Sequence, residues 1–522
     1  MTDEAGRPGP DGTAPPAPEL AEKAARLRVA VIGGGVAGLV AAEAIAAIGA
    51  RVTVFEAQPE PGGAVRRGEA DGLSFDAGAE SFAVRGGHVR ALIDELGLAD
   101  RVVSPDPGGA WVAGIPSGAA PLPKGGLLGI PANPFAEDVR RVIGWRGTWR
   151  AWLDRLRPPL TIGHDRSLGH LVRTRMGARV LERLVAPVST GVYSAHPDDI
   201  DVDAAAPTLN AALTRAGSLS GAVTEIVGTA ARTPGTAVQG LDGGMSGLVD
   251  ALVSRIALLG SEVRTSSPIE RLERADGGWV VHPASGEGAV ADDRDADLPA
   301  LLPVRPEAAA PSQTAHATAA EAPFDAVLVA TDEPTARRLL APHVPGLDDV
   351  AAGSSPRIEI VTLVLDAPVL DTAPRGSGVL TVPGSHTAKA LTHSTAKWRW
   401  LREAAGSRHV VRVSFGSQDE EPATAALDDA AAAALALAEA GALLGVELTA
   451  DQLRGSDRAR YVQAQPSSVL GAVERRDAAT AAIRAVDGVA ATGAWLSGTG
   501  LAQVVPHAKA EAERLRHALL WG

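Results

Sequence analysis

Residues 28–56 read RVAVIGGGVAGLVAAEAIAAIGARVTVFE. Arg28 to Ile32 is short, apolar, rich in β-branched residues and ends at glycine, which predicts a buried strand. Gly33-Gly34-Gly35-Val36-Ala37-Gly38 follows, then an alanine-rich helix, then a second strand running to Glu56. The order is strand, G-x-G-x-x-G, helix, strand and acid, and Glu56 lies 18 positions after Gly38. That is the pattern of a dinucleotide-binding unit. Each position has a physical task. Gly33 allows the tight turn, Gly35 lets a pyrophosphate reach the backbone, and Gly38 brings the helix close to the strand. Free amides at the helix start, around Val36 and Ala37, face the phosphates. Glu56, with Ala57 behind it, can accept hydrogen bonds from a ribose, and its charge repels a 2′-phosphate, so NADP is disfavoured.

The chain around this unit has 522 residues and a mass of 53.2 kDa, enough for two or three domains with their own cores. Apolar residues make up 45% and charged residues 21%, a globular composition. With 49 basic against 62 acidic residues the formal net charge is −13, which argues against nucleic acid as a partner. The absence of cysteine excludes disulfides, thiolate nucleophiles, iron–sulfur clusters and cysteine-based zinc sites. Residues 1–26 are acidic and rich in Pro and Gly, which predicts a disordered leader and not a signal peptide. Without an apolar run of about 18 residues no spanning helix is expected, so the predicted location is cytoplasmic.

After Glu56 the chain continues AQPEPGGAVRRGEADGLSFDAGAESF. This resembles the extended signature of the flavin amine oxidase and porphyrinogen oxidase superfamily. Gly62 and Gly63 match its glycine pair, and Asp76, Gly78, Ala79, Ser81 and Phe82 match its x-D-x-G-A-x-S-F segment, with Glu80 at the variable position. The resemblance implies FAD as the cofactor, with these elements flanking its pyrophosphate and flavin ring. Many relatives carry Lys or Arg directly after the glycine pair; this chain has Ala64, with Arg66 or Arg67 as the alternative source of charge. The C-terminal stretch GVAATGAWLSGTGLAQVVPHAKAEAERLRHALL is similar to the superfamily's terminal flavin-binding motif, through Gly493, Gly498, Thr499, Gly500, Leu501 and Ala502. A helix N-terminus there suits the negative charge of a reduced flavin.

Intermediate segments resemble the porphyrinogen oxidases in particular. Ala110 to Pro134 carries L-P-x-G and G-I-P, and Leu184 to Leu209 retains Pro187, Gly191, Val192, Tyr193 and Pro197 of a family stretch. LDGGMSGLVDAL (241–252) and the strand after it match the family order, which implies that backbone near Val263 contacts the adenine side of FAD. Amine oxidases generally place Tyr in the C-terminal loop where this chain has Thr499, and the only tyrosines are Tyr193 and Tyr461. Tyr193, Tyr461 and Thr499 are the candidates for residues beside the flavin.

Phe135 to Pro158 places Val142, Trp145, Trp149, Trp152 and Leu156 at helical spacing among six arginines. Three readings stay open: a core-packed helix with a basic edge, a helix at an anionic membrane surface, or the wall of an anion pocket. Lys124, Arg146 and Arg150 are the candidate contacts for substrate carboxylates, since concentrated positive charge is needed to draw a polyanion to an acidic protein. No histidine pattern suggests a metal, and His196, His386 and His393 read as loop or surface residues.

The expected fold is α/β plus α+β: a Rossmann-like FAD-binding domain, a sheet-floored substrate domain and a helical lid or membrane-type domain. The FAD-binding domain is assigned to 27–105, 226–345 and 456–522, the mostly helical unit to 106–225 and the sheet to 346–455. Residues 284–323 are Pro/Ala-rich and read as a disordered insertion. The resemblance implies an oxygen-dependent coproporphyrinogen III oxidase activity. Protoporphyrinogen IX is the alternative substrate; amine oxidase, carotenoid-type desaturase or a non-turning-over flavin protein are the rivals. The implied partners are a porphyrinogen and dioxygen, with peripheral membrane contact and transient contact with a ferrochelatase as further expectations.

Overall fold

The computed structural model describes residues 17–157, 165–228, 237–284, 322–353, 355–418, 420–462 and 468–522. The predicted insertion therefore lies almost wholly outside the described residues.

Five short parallel strands form one sheet, in the spatial order Glu262–Arg264, Arg51–Phe55, Arg28–Ile32, Ala326–Val329, Val489–Ala491. In chain order this is 3-2-1-4-5. The order reverses beside Arg28–Ile32, and it is there, past the strand ends, that such sheets bind ligands. The strand residues Val29 to Ile32 and Ala326 to Val329 are buried, as continuous apolar runs covered on both faces must be. One face packs helix Val36–Ala46 against the C-terminal helix Leu501–Trp521, through Leu39, Val40, Val505, Ala508 and Ala512. The opposite face holds Leu339, Leu340 and Ile483 from two other helices.

A second, seven-stranded sheet runs Leu453–Val462, Arg357–Leu365, His409–Phe415, Ala390–His393, Gly378–Thr381, Ala110–Ile115, Gly118–Pro121. All its pairs are antiparallel except Gly378–Thr381 with Ala110–Ile115. Helix Asp429–Leu444 covers one face, burying Ala432, Ala436, Ala440 and Leu443 on Leu363, Val411, Val413 and Phe415. By strand alternation Val410, Arg412 and Ser414 point the other way, towards the first unit. A third core gathers the helices between Glu137 and Val227.

Several expectations need correcting. Residues 17–26, read as leader, form helix Ala17–Arg26; Ala24 is buried and the Lys23 ammonium donates to the Leu520 carbonyl at 2.7 Å. Within the mostly helical segment 106–225, strands Ala110–Ile115 and Gly118–Pro121 belong instead to the seven-stranded sheet. That sheet also runs past residue 455, to Val462. The Trp-rich stripe is only partly core-packed: Val142 is buried with Val139, Ile143 and Ala151 in the third core, whereas Gly144 interrupts helix Glu137–Trp152 with φ 69°, ψ 167°, and Trp145 and Trp149 stay 58% and 55% exposed. His393 is buried, and its ring lies 3.3 Å from that of His409, which in turn meets Asp371 at 3.1 Å.

Candidate active site

At the sheet reversal the glycines divide by what a side chain would meet. A Cβ on Gly38 would collide with the Gly33 carbonyl, and one on Gly33 would reach the Ala330 carbonyl oxygen at 2.6 Å. Those two are packing requirements. A Cβ on Gly35 would find only the Gly63 Cα, 3.9 Å away. Gly35 and Gly63 thus bound an open cradle at the start of helix Val36–Ala46, which Gly35 caps without a side chain. The amides of Val36, Ala37 and Gly38 have no acceptor within their own helix, so this end can hold a diphosphate. The Gly62 amide donates to the Gly34 carbonyl at 2.8 Å and keeps the glycine pair beside the loop.

Glu56 ends the second strand. One carboxylate oxygen accepts the Gly34 amide at 2.7 Å and the other the Gln58 amide at 2.8 Å. Each retains lone-pair capacity for a ribose hydroxyl. The Glu56 amide donates to the Arg264 carbonyl. Val263, next along that edge strand, therefore turns its own amide and carbonyl away from the sheet, available to a base.

Ala64 to Arg66 and Ala77 to Ala79 run side by side: Ala79 donates to the Ala64 carbonyl at 2.8 Å and Ala77 to that of Arg66 at 3.1 Å. Any Cβ on Gly78 would strike the Ala64 carbonyl and come within 2.9 Å of the Tyr461 hydroxyl. That hydroxyl is buried and without a hydrogen-bond partner among the described residues. Burial raises its pKa, opposed by the charges of Arg66 and Arg412. Asp76 sits deeper, accepting the Met245 amide at 2.8 Å; burial pushes its pKa up to about 7, against the pull of Arg412.

Glu80 is not free for a ligand. Its carboxylate, 10% exposed, pairs with Lys397, with Arg412 at 3.1 Å and with the Ser394 hydroxyl at 3.2 Å. Burial alone would raise its pKa; Lys397 and Arg412 outweigh that and hold it at about 2. Arg412 also donates to the Ala77 carbonyl at 3.1 Å and the Gly78 carbonyl at 2.5 Å. The pair therefore fastens the Gly78–Ser81 segment to the seven-stranded sheet.

From the far end of the chain, strand Val489–Ala491 leads through Gly493 to Gly498-Thr499-Gly500 and the helix start. Leu501 and Ala502 pack into the same core as Val36, Ala37 and Ala79. The two termini, predicted to share one cofactor, are thus neighbours. An open glycine cradle, two bare helix starts, a ribose-type acid and an orphaned buried hydroxyl fit an elongated dinucleotide with an aromatic end.

The carboxylate candidates fare differently. Arg150 is spent within the fold, donating to the carbonyls of Thr174 and Arg175 at 2.8 Å each, at the end of helix Leu168–Arg175. Lys124 and Arg146 are exposed. The Tyr193 side chain lies outside the described residues. Lys389 was missed: its ammonium donates to the Ser194 hydroxyl at 2.7 Å, between the sheet and helix Ala186–Tyr193, and burial lowers its pKa to about 8. Arg412 was missed too, although a lone cation within HVVRVSF is a visible departure from an apolar strand.

Residues 36–298 match the model of the flavin containing amine oxidoreductases. The chain belongs to that family and is an FAD-dependent oxidoreductase. Among curated relatives, a coproporphyrinogen III oxidase of Mycobacterium tuberculosis (strain H37Rv) is 31% identical over 411 residues, covering 76% of this chain and 78% of the relative. One from Propionibacterium freudenreichii is 28% identical over 560 aligned positions, covering 99% and 96%. A crystal structure from Exiguobacterium sp. 255-15, described as a protoporphyrinogen oxidase, superposes with TM-score 0.75 at 22% identity, covering 94% of this chain and 99% of that one.

Proposed function

We propose that this protein oxidises coproporphyrinogen III to coproporphyrin III, with dioxygen as the final acceptor. The overall change removes six hydrogens from the macrocycle and converts three dioxygen to three hydrogen peroxide. The observation that supports it is the packing of helix Val36–Ala46, which the Gly35–Gly63 cradle opens, against helix Leu501–Trp521, which the Gly498–Gly500 loop opens, in a chain whose long-coverage relatives carry this name. When bound, FAD supplies a two-electron acceptor that dioxygen can re-oxidise.

The chain's own contribution is binding, orientation and exclusion of water. The amides of Val36, Ala37 and Gly38 would hold the diphosphate, Glu56 the ribose, and Val263 the base. Gly78, Ala79 and Ser81, on the segment that Arg412 fastens through the Ala77 and Gly78 carbonyls, would lie at the flavin end, and the bare helix start at Leu501 and Ala502 would offer it amides. Tyr461 and Thr499 are the candidate neighbours of the reacting face. Of the three candidate cations, Lys124 and Arg146 are the exposed ones left for substrate carboxylates. The domain division follows the corrected limits, with 110–121 and 453–462 in the substrate sheet. No helix among the described residues is long and apolar enough to cross a membrane. The exposed Trp145 and Trp149, with Arg140, Arg141 and Arg146, form the face for peripheral contact with an anionic surface.

Anaerobic mixing of the holoenzyme with coproporphyrinogen III, protoporphyrinogen IX and a diamine tests the reading. Coproporphyrinogen bleaches the flavin band with the highest kcat/KM. Bleaching by the diamine alone overturns it in favour of an amine oxidase, and a flavin that no substrate reduces points to a binding protein.

A further inference from the structure

Strand register in the seven-stranded sheet sets one row of side chains across the face that looks towards the dinucleotide unit. Ala459 pairs with Ile360, Ile360 with Ser414, Ser414 with Ala390 and Ala390 with Leu380. Tyr461, two residues along from Ala459, shares that face, with its hydroxyl against Gly78. Ile360, Ser414, Ala390 and Leu380 all stay partly exposed, although the dinucleotide unit and helix Ala186–Tyr193 both pack on this face. Protein interiors close to crystal-like density, so side chains left open between packed units mark a floor with room above it.

Lys389 stands at the far end of this floor from Tyr461, three strand spacings or roughly 14 Å across the sheet. Helix Ala186–Tyr193 comes down on the floor there: a Cβ on Gly191 would approach the Leu380 side chain to 2.6 Å. The helix ends at Ser194 in the left-handed region, φ 53°, ψ 27°, and the Ser194 hydroxyl accepts from the Lys389 ammonium at 2.7 Å. An ammonium carries three donors; among the described residues that hydroxyl is its one side-chain partner, and no carboxylate pairs with it. Glu439, the carboxylate next to this turn, accepts the Ala388 amide at 3.1 Å from helix Asp429–Leu444 on the opposite face. Burial thus acts unopposed on the lysine and lowers its pKa to about 8, which leaves it mostly charged at neutral pH. A buried charge without a counter-ion destabilises the free protein, and an arriving anion removes that penalty.

We infer that Lys389, with Ser194 behind it, seats one carboxylate side chain of the substrate macrocycle and so sets how the ring is turned over the sheet floor. This rests on the porphyrinogen reading above. An apolar macrocycle lies on Ile360, Ala390 and Leu380 while its charged rim meets the ammonium, so one ligand uses both features. A cation at a helix C-terminus also stabilises the helix, but that role alone is blind to the charge of a ligand.

The test titrates holoenzyme with coproporphyrin III and with its tetramethyl ester, which keeps the ring and removes every carboxylate charge, in wild type, Lys389→Gln and Lys389→Arg. Lys389→Gln raises Kd for the free acid about tenfold or more, as loss of a hydrogen bond between charged groups does, and leaves Kd for the ester within about twofold. Lys389→Arg keeps most of the preference for the acid. Flavin content is the same in all three proteins, and kcat/KM for coproporphyrinogen III falls in Lys389→Gln in step with acid affinity. Lys389→Met, which buries no polar group, repeats the comparison if Lys389→Gln is unstable. Unchanged acid affinity overturns the inference, and equal losses for acid and ester overturn it in favour of a packing role. If wild type neither binds coproporphyrin III nor is bleached by either porphyrinogen, the functional reading fails and this inference with it. If it does both while the variants behave as wild type, only the Lys389 assignment falls.

Discussion

Replacing Glu80 with Gln tests what holds the flavin-facing segment in place. The carboxylate lies between Lys397 and Arg412, whose side chains are 19% and 7% exposed, so solvent screens the group weakly. Its pKa falls from the ordinary 4.5 to about 2. At 1.36 kcal/mol per unit, ionised Glu80 contributes about 3 kcal/mol of stability at neutral pH. An independent guide agrees: removing one partner of a buried pair costs roughly 3–5 kcal/mol, because the remaining charges stay buried. The sign follows from a depressed carboxylate pKa. The contribution is complete well above pH 4.5 and is lost as pH falls towards 2; it should drop to less than half by about pH 3. Urea unfolding followed by tryptophan fluorescence, in wild type and Glu80→Gln, measures the difference at each pH. FAD affinity should weaken in parallel, because Arg412 loses the anion that keeps it on the Gly78 carbonyl. A variant within about 1 kcal/mol of wild type at pH 7, or a deficit that does not shrink on acidification, would refute this account.

Gly35→Ala should leave a folded protein with FAD affinity reduced at least about tenfold, because the new methyl enters only the cradle needed for backbone approach. Gly38→Ala should instead lower Tm, since its methyl meets backbone; FAD titration and thermal melts separate the two. Asp76→Asn keeps an acceptor for the Met245 amide and removes a buried acid with pKa about 7. Folded Asp76 binds its proton more tightly than unfolded Asp76, so wild-type stability declines as pH rises from about 4 to 7, and the variant should gain Tm relative to wild type between pH 5 and pH 8. Trp145→Ala/Trp149→Ala should cut co-sedimentation with phosphatidylglycerol vesicles several-fold, with no effect on neutral vesicles; equal binding by wild type and variant would remove the membrane role from this face.

Local sequence was enough for the dinucleotide unit. A tight glycine turn, a helix start and a strand-end acid are all set by neighbours within 30 residues, and backbone geometry admits few residue types at each place. The resemblance of the last 30 residues likewise anticipated that the C-terminal helix packs against the N-terminal dinucleotide unit. Helical periodicity in 135–158 was real, but it could not say which face would be covered. Gly144 breaks the helix there, and a pattern of hydrophobic residues carries no information about whether a partner surface arrives. Arg150 shows the same limit, since its charge suggested a ligand and its neighbours turned out to be helix-end carbonyls. The clamp of Glu80 by Lys397 and Arg412 and the orphaned Tyr461 hydroxyl beside Gly78 depended on tertiary structure alone. Each joins residues hundreds of positions apart, and the energy of a charge depends on its burial and its partners in space, neither of which is written along the chain.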